Sequence, residues 1–260
     1  MLKSFLLSAS FLWRFPIKID NISEEDFKKA LIFFPAIGAI EGIILAFTSK
    51  FLSSYLTEEL LAFILLLIIL YLRGIFHLDG FSDTFDALAY KGCNDPELDR
   101  KKRLEIMKDS RAGVSGIVAI FINLLGKFIF LKILLQKKLF ALMFLPFFLS
   151  RTFILPFIYL SKPAKSEGLG FLMKRSLTQK TLTLATLLSS FILGFFLFLE
   201  NFSKIFFIIL ILCINFIMLL YFQKKFEKTF GGLTGDNFGA LIEISEITTL
   251  FGVLILWPRL

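Results

Sequence analysis

The stretch KIFFIILILCINFIMLLYF, residues 204–222, decides the class of fold. Its segment 205–212 contains no polar side chain, and an α-helix needs roughly 20 mostly apolar residues to cross a bilayer core about 30 Å thick. Six further stretches approach that length, at 31–47, 60–77, 113–134, 140–160, 181–199 and 237–257. The sequence therefore predicts an all-α fold, a polytopic transmembrane helical bundle with about seven spans.

The composition supports a membrane protein. Of the 260 residues, 57% are hydrophobic and only 19% are charged, whereas a soluble domain averages about 45–50% apolar residues. Such a chain is too apolar to be disordered. No internal repeat or soluble second domain is visible, so residues 1–260 are interpreted as a single integral membrane domain. The two cysteines, Cys93 and Cys213, match no metal-ligand spacing or disulfide framework, which is consistent with a reducing compartment.

The N-terminal residues 1–15 contain a short apolar run with one lysine. Because the run is short and Arg14 and Lys18 follow it, an uncleaved interfacial helix is favoured over a signal peptide.

Lysine and arginine number 29 against 21 acidic residues, for a net charge of +8. With the N-terminus inside, twenty of the basic residues fall in inner segments, and five fall in outer ones, namely Lys50, Lys137, Lys138, Lys204 and Arg259. This asymmetry predicts a cytoplasmic N-terminus and a multi-pass protein of the inner membrane in contact with the lipid bilayer, and it gives no indication of nucleic-acid binding. Of the basic residues inside predicted spans, Arg73 and Lys127 are expected to snorkel from span ends, and Arg151 needs an anionic partner.

The stretch HLDGFSDTFD, residues 77–86, is the most informative for chemistry. Asp79, Asp83 and Asp86 are spaced by four and three residues, which places all three carboxylates on one face of a helix. Their mutual repulsion beside a membrane calls for a neutralising cation, and hard oxygen ligands favour Mg²⁺. The alternatives are a solvated face or acidic residues at a helix start. His77 is predicted to orient a carboxylate or bind phosphate, or else to be an interfacial polar residue.

A second constellation comprises Lys108, Asp109, Ser110 and Arg111. Lysine, arginine and hydroxyl groups bind phosphate oxygens, so Lys108, Asp109 and Arg111 are predicted to bind substrate. A basic anchor at the inner membrane face is the alternative.

A third constellation is GGLTGDNFGA at 231–240, followed by Glu243 and Glu246. Its glycines allow a tight turn whose N–H groups can approach an anion, and carboxylates inside an apolar span are functional candidates. Asp236 is therefore predicted to bind metal, and Thr234 and Glu243 to bind substrate. The alternative is a capped helix start, with Asp236 as the cap and Glu243 paired with a distant cation.

Three further features have weaker signals. Arg151 is predicted to meet the acidic centre and bind substrate, and Glu41 is a single-residue candidate for the same site. The basic segment 162–180 is either a flexible lid over an anionic substrate or an ordinary cytoplasmic loop.

At these residues the sequence resembles the cobalamin synthase family, also called adenosylcobinamide-GDP ribazoletransferase or cobalamin-5′-phosphate synthase. The similarity covers most of the chain and comprises FPI at 15–17, FPAIG at 34–38, HLDG at 77–80, RLEIMKDSR at 103–111, SR at 150–151, GLG at 168–170 and GGLTGD at 231–236. The order and spacing of these pieces together are specific.

The resemblance implies a Mg²⁺-dependent enzyme that joins adenosylcobinamide-GDP to α-ribazole or its 5′-phosphate and releases GMP. In such a reaction a hydroxyl attacks a pyrophosphate, and metals neutralise the attacking and leaving oxygens. Asp79, Asp83, Asp86 and Asp236 are then expected to bind metal, and Asp83, Asp86 and His77 to act in catalysis. Asp86 is one candidate acceptor for the hydroxyl proton.

Two other functions are kept as alternatives. The aspartate spacing also resembles the CDP-alcohol phosphotransferases, which would make the chain a lipid head-group transferase. An ion-coupled transporter also uses intramembrane carboxylates, but it should show broken helices in two symmetric halves. The lower-ligand base, the number of metal ions and the oligomeric state are open, and a homo-oligomer is compatible with the sequence.

Overall fold

The computed structural model describes residues 1–15, 17, 19–109, 111–200 and 204–257. In these ranges the chain forms α-helices, one 3-10 turn and no strand, which confirms the predicted all-α class. The helices are α1 Leu2–Leu12, α2 Glu24–Ile32, α3 Phe34–Leu52, α4 Glu58–Arg73, α5 Phe76–Ala89, α6 Pro96–Ile106, α7 Val114–Gln136, α8 Phe144–Leu160 (after the 3-10 turn Phe140–Met143), α9 Leu169–Ser176, α10 Gln179–Leu199, α11 Ile205–Phe230 and α12 Gly235–Leu256.

Among the described residues, six helices are long and apolar enough to cross a membrane: α3, α7, α8 with its 3-10 turn, α10, α11 and α12. A seventh span is possible if α4 and α5 are counted together, and these two helices meet at an angle of 92°. The prediction of about seven spans is therefore confirmed. The predicted stretch 60–77 is not one straight helix, because Gly74 adopts φ +67° between α4 and α5, a conformation that glycine tolerates and other residues rarely adopt.

The connections of the bundle gather at two ends. At the first, here called the site end, the turn before α12 pairs with the segment after α8, where the Leu233 N–H donates to the Lys162 carbonyl over 2.7 Å. At the opposite, far end, Lys50, Lys138 and Lys204 line one cavity with Trp257. These are three of the five basic residues predicted on the outer side, and Arg259 lies outside the described residues.

Helices α8 and α12 form the centre of the bundle. In their most apolar windows 78% and 72% of the residues are buried, against 22% for α7, α10 and α11. Those three helices thus leave large apolar side chains exposed, among them Phe121, Phe191 and Phe206. The predicted N-terminal helix is present as α1, which buries Leu7, Ala9 and Leu12 in the core cluster and packs on α2 and α3.

Candidate active site

The three aspartates of α5 share one helix face, as predicted. Asp79 is exposed and Asp83 and Asp86 are half-buried, whereas Phe81 and Ala87 turn into the core. The sharp bend at Gly74 separates this short helix from α4, so the carboxylates are carried by a helix of 14 residues near the site end.

Helices α5 and α12 cross at two glycines. A Cβ on Gly80 would lie 2.7 Å from the Asp236 Cα, and a Cβ on Gly239 would lie 3.3 Å from the His77 Cα. Small residues of this kind let membrane helices approach closely. The contact is fixed by the Asn237 Nδ2 group, which donates to the Thr84 hydroxyl over 3.0 Å. As a result, the negative charge of Asp236 adds to those of Asp79 and Asp86 around Asp83.

The turn before α12 is a helix cap. The Thr234 hydroxyl accepts from the Asn237 N–H over 3.2 Å, and the Asn237 side chain accepts from the Thr234 N–H over 3.0 Å. The cap is therefore Thr234, and the alternative in which Asp236 caps the helix is wrong. Asp236 lies in the first turn of α12, where the helix dipole favours negative charge.

Asp86 joins α5 to the start of α7. One of its oxygens accepts from the Gly113 N–H and the other from the Gly116 N–H, each over 2.8 Å. A Cβ on either glycine would collide with this carboxylate, at 2.3 Å from Gly113 and 2.4 Å from Gly116. Asp86 thus satisfies two N–H groups that a helix start leaves without partners, a role that the spacing of the aspartates does not indicate.

The donor chemistry of the site fits a hard divalent cation. Asp79, Asp83, Asp86 and Asp236 supply carboxylate oxygens, and none of them makes an ion pair with a described residue. In this conformation no three His, Cys, Asp or Glu side chains of the described residues are gathered closely enough to hold a metal ion. A shared ion would therefore require side-chain rotations, and the metal site stays a prediction.

Two of these carboxylates, Asp79 and Asp236, line a cavity of about 480 Å³. Its polar lining includes His77, Asp79, Lys165, Thr234 and Asp236. Aromatic rings form much of the remaining wall: Phe11, Phe34, Phe76, Phe171 and Phe238. A cavity of this size with apolar walls and a few polar groups is typical of small-molecule sites.

The segment 162–180 contributes to this cavity and is not a plain loop. It contains α9, and Gly170 of that helix packs so closely on the turn before α12 that a Cβ there would lie 2.6 Å from the Gly235 nitrogen. Whether the segment moves as a lid stays a prediction.

His77 connects the cavity to the interior of the bundle. It lines the cavity, and it also lines a void of about 10 Å³ together with Arg73, Lys127 and Glu243. Its Nδ1 atom is buried and has no hydrogen-bond partner among the described residues. Buried polar atoms are rarely left in this state, so this nitrogen is available for a hydrogen bond to a ligand or a water.

Six charged side chains form a buried ionic network at the centre of the bundle. The network comprises the cations Arg73, Lys127 and Arg151 and the carboxylates Glu41, Glu243 and Glu246, from α3, α4, α7, α8 and α12. Its three positive and three negative groups balance. An isolated charge is costly inside a membrane. Because the six charges sum to zero, the five helices can bury them together at the centre of the bundle.

Glu246 is the hub of the network. It accepts hydrogen bonds from Arg151, from Arg73 over 2.7 Å and from Lys127 over 2.7 Å. Lys127 also donates to Glu243, and Arg73 donates to Glu41. The Arg73 guanidinium in addition lies 4.9 Å from the centre of the Phe147 ring.

The network changes the interpretation of several residues. Arg73 and Lys127 do not snorkel from span ends; that expectation was wrong, because both are buried in ion pairs. Arg151 finds the anionic partner it was expected to need, and the alternative in which Glu243 pairs with a distant cation is confirmed.

Two residues that were predicted to bind substrate, Arg151 and Glu243, are buried in this network. Arg151 and Glu243 are 0% and 2% exposed, and neither lines the cavity of about 480 Å³. The structure therefore does not bring these two predicted substrate-binding residues to the open site. Glu41, a weak candidate from the sequence, belongs to the network.

The basic residues of the segment 108–111 do not lie in one site. Lys108 lines another cavity, between α6 and the segment after α8. Arg111 pairs with Asp109 over 2.7 Å with its side chain 87% exposed, and this guanidinium holds the pKa of Asp109 well below its ordinary value. Ser110 lies outside the described residues.

Comparison with known proteins gives one consistent result. The family model described as cobalamin-5-phosphate synthase matches residues 4–254. An adenosylcobinamide-GDP ribazoletransferase of Thermodesulfovibrio yellowstonii is 38% identical over 255 residues, covering 98% of this chain and 97% of the relative. The protein of the same name in Clostridioides difficile is 32% identical over 261 residues, covering 98% of both chains. No solved structure matches the chain.

Proposed function

The chain belongs to the cobalamin-5-phosphate synthase family, and we propose that it transfers the cobinamide phosphate of adenosylcobinamide-GDP to α-ribazole or its 5′-phosphate with release of GMP. The observation that supports this chemistry is an aromatic-walled cavity lined by the carboxylates of Asp79 and Asp236, with Asp83 and Asp86 on the same helix as Asp79. Family membership favours this activity over a lipid head-group transferase or a transporter.

The bond changes are those of a phosphoryl transfer. A ribose hydroxyl oxygen of the acceptor bonds to the phosphorus nearest cobinamide, and the bond from that phosphorus to the bridging oxygen breaks. The electron pair leaves with GMP, and the hydroxyl proton passes to a base. Positioning and charge stabilisation supply most of the catalysis in such reactions.

We propose Mg²⁺ as the cofactor, held by Asp79, Asp83 and Asp236. When bound, it would neutralise negative charge on the pyrophosphate oxygens. Asp86 retains free lone pairs for the same ion, but its two oxygens already accept the Gly113 and Gly116 N–H groups. For this reason Asp83, which makes no such bonds within the described chain, is the preferred proton acceptor.

The cavity suits the acceptor. Ribazole carries a flat, uncharged aromatic base, and five phenylalanine rings line the walls, where offset or edge-on ring contacts are favourable. The His77 imidazole lies in the same wall as Asp79 and Asp236 and is placed to orient the attacking hydroxyl.

We further propose that the site end faces the cytoplasm in a bacterial inner membrane. The support is the excess of basic residues in the segments predicted to be inside. Lys165, Lys174 and Arg175 lie in the segment beside the cavity, and Lys50, Lys138 and Lys204 lie at the far end.

The direct test is GMP release by the purified protein in detergent, supplied with adenosylcobinamide-GDP, α-ribazole and Mg²⁺. Wild type should form GMP and the joined product in equal amounts, and Asp83→Asn should form neither while keeping its thermal unfolding midpoint. Asp20→Asn, an exposed aspartate outside the site, is the matched control and should be fully active. Absence of GMP from wild type, or CMP release from CDP-diacylglycerol instead, would overturn the proposal.

A further inference from the structure

A second cavity, of about 620 Å³, lies between α6 and the segment that follows α8. It is here called the cationic cleft, after the four basic side chains that line it: Arg100, Lys101, Lys108 and Lys165. The carboxylates of Glu97, Glu105 and Glu167 also line it. The function proposed above gives this cleft no role.

The cleft is built by specific contacts. The Arg100 side chain lies across Gly231, so that a Cβ there would be 2.4 Å from its guanidinium carbon. Gly231 has φ +79° and ends α11, a position that favours glycine. Helix α6 is capped by Asp95 and linked to the end of α5 by Arg103, which donates to the Tyr90 carbonyl over 2.9 Å.

The cationic cleft adjoins the aromatic cavity. Lys165 and Glu167 line both, and the positive charge of Lys165 acts on Asp236. A ligand that bridges the two cavities would therefore pass directly by the carboxylates.

The two cavities differ in charge. Lys165 is the one lysine or arginine of the described residues that lines the aromatic cavity, whereas the cleft has Lys165 and three more. Phosphate groups are bound by lysine and arginine through charge-assisted hydrogen bonds. The uncharged aromatic base of the acceptor therefore suits the first cavity, and a nucleotide suits the second.

We propose that the cationic cleft binds the nucleoside monophosphate half of the donor, which becomes the leaving group, with Lys165 at the junction and Arg100 and Lys108 on its phosphate. The inference rests on the proposed function, because it assigns the donor's nucleotide to one side of the same carboxylates. The segment after α8, whose Lys165 and Glu167 line both cavities, then lies between the donor nucleotide and the acceptor.

The probe is GMP itself, added to the purified full-length protein in detergent without the other substrates. Isothermal titration should give an affinity that falls about tenfold in Arg100→Ala and in Lys108→Ala, the loss expected for one charge-assisted contact worth about 1.4 kcal/mol. Lys225→Ala removes an exposed positive charge from α11, and this side chain lines neither cavity. This control should bind GMP as wild type does.

Kinetics provide the second readout. Arg100→Ala and Lys108→Ala should raise KM for adenosylcobinamide-GDP and leave KM for α-ribazole unchanged. Unchanged GMP affinity and donor KM in both variants would overturn the cleft assignment while GMP release by wild type still supported the proposed function. If wild type releases no GMP, the proposed function fails. The GMP titration then shows separately whether the cleft binds the nucleotide.

Discussion

The Arg151 guanidinium donates to the Glu246 carboxylate at a point where neither side chain has any exposed surface. The two residues are 95 positions apart in sequence, and they join the two most buried helices of the bundle, α8 and α12. The pair thus fixes the helix that carries Asp236 against the centre of the protein.

Removing one member of this pair should be strongly destabilising. Arg151→Met leaves three buried carboxylates with only two cations, Arg73 and Lys127, and breaking a buried pair in this way costs about 3–5 kcal/mol. We expect a lower thermal unfolding midpoint in detergent, monitored by circular dichroism. The double variant Arg151→Met/Glu246→Gln keeps equal numbers of charges and should lose less than the sum of the two single variants.

The partly exposed ion pair between Lys132 and Glu59 serves as a control for the buried pair between Arg151 and Glu246. Lys132 lies 2.7 Å from Glu59 with side chains 32% and 54% exposed, and such pairs contribute little. Lys132→Met should keep the wild-type midpoint. A loss as large as that of Arg151→Met would show that burial is not what distinguishes the network.

Asp79→Asn and Asp86→Asn should differ in stability. Asp79 is exposed, so its amide variant should lose GMP release at an unchanged unfolding midpoint. Asp86→Asn turns an amide NH₂ toward backbone N–H groups that now donate to Asp86, and should lose about 1–2 kcal/mol of unfolding free energy. Equal midpoints for the two variants would contradict the capping role of Asp86.

Gly80→Ala should separate α5 from α12. The added Cβ would lie 2.7 Å from the Asp236 Cα, so the helices must move apart and the carboxylates with them. We expect GMP release to fall at least as far as in the aspartate variants. Gly194→Ala in α10 meets nothing within 4 Å; it should be fully active and up to about 1 kcal/mol more stable, because alanine favours helix. Full activity of Gly80→Ala would show that the close crossing is unnecessary.

Removal of divalent cations should stop the reaction. After EDTA treatment we expect no GMP release, and added Mg²⁺ should restore it. Asp236→Asn removes one proposed oxygen ligand and should raise the Mg²⁺ concentration needed for half-maximal release, whereas Asp20→Asn should not. Release that persists in EDTA would contradict the metal site.

The spans and the aspartate face were accessible from the sequence because both depend on local patterns. Continuous apolar length predicts a span, and spacings of three and four residues predict a shared helix face. The bend at Gly74 was missed because the apolar stretch 60–77 continues through it, although that glycine was a visible signal.

The ionic network could not be paired from the sequence. Its partners are far apart, since Arg73 and Glu246 are separated by 173 positions, and no local pattern states which cation meets which carboxylate. The available signal was that acidic and basic residues both occur inside apolar stretches, three acidic ones (Glu41, Glu243 and Glu246) and four basic ones (Arg73, Lys127, Lys132 and Arg151). The capping role of Asp86 was hidden for the same reason, because its partners begin a different helix.

The order of the six network residues along the chain has a consequence for membrane insertion during synthesis. Glu41 and Arg73 emerge first and can pair with each other. Lys127 and Arg151 follow as two surplus positive charges, each costing about 2.5–3.5 kcal/mol at the centre of an inserted helix. Only α12, the last helix, brings Glu243 and Glu246. A nascent chain that stops before α12 therefore holds two unmatched cations, so arrival of the final helix both neutralises the interior and delivers Asp236 to the site.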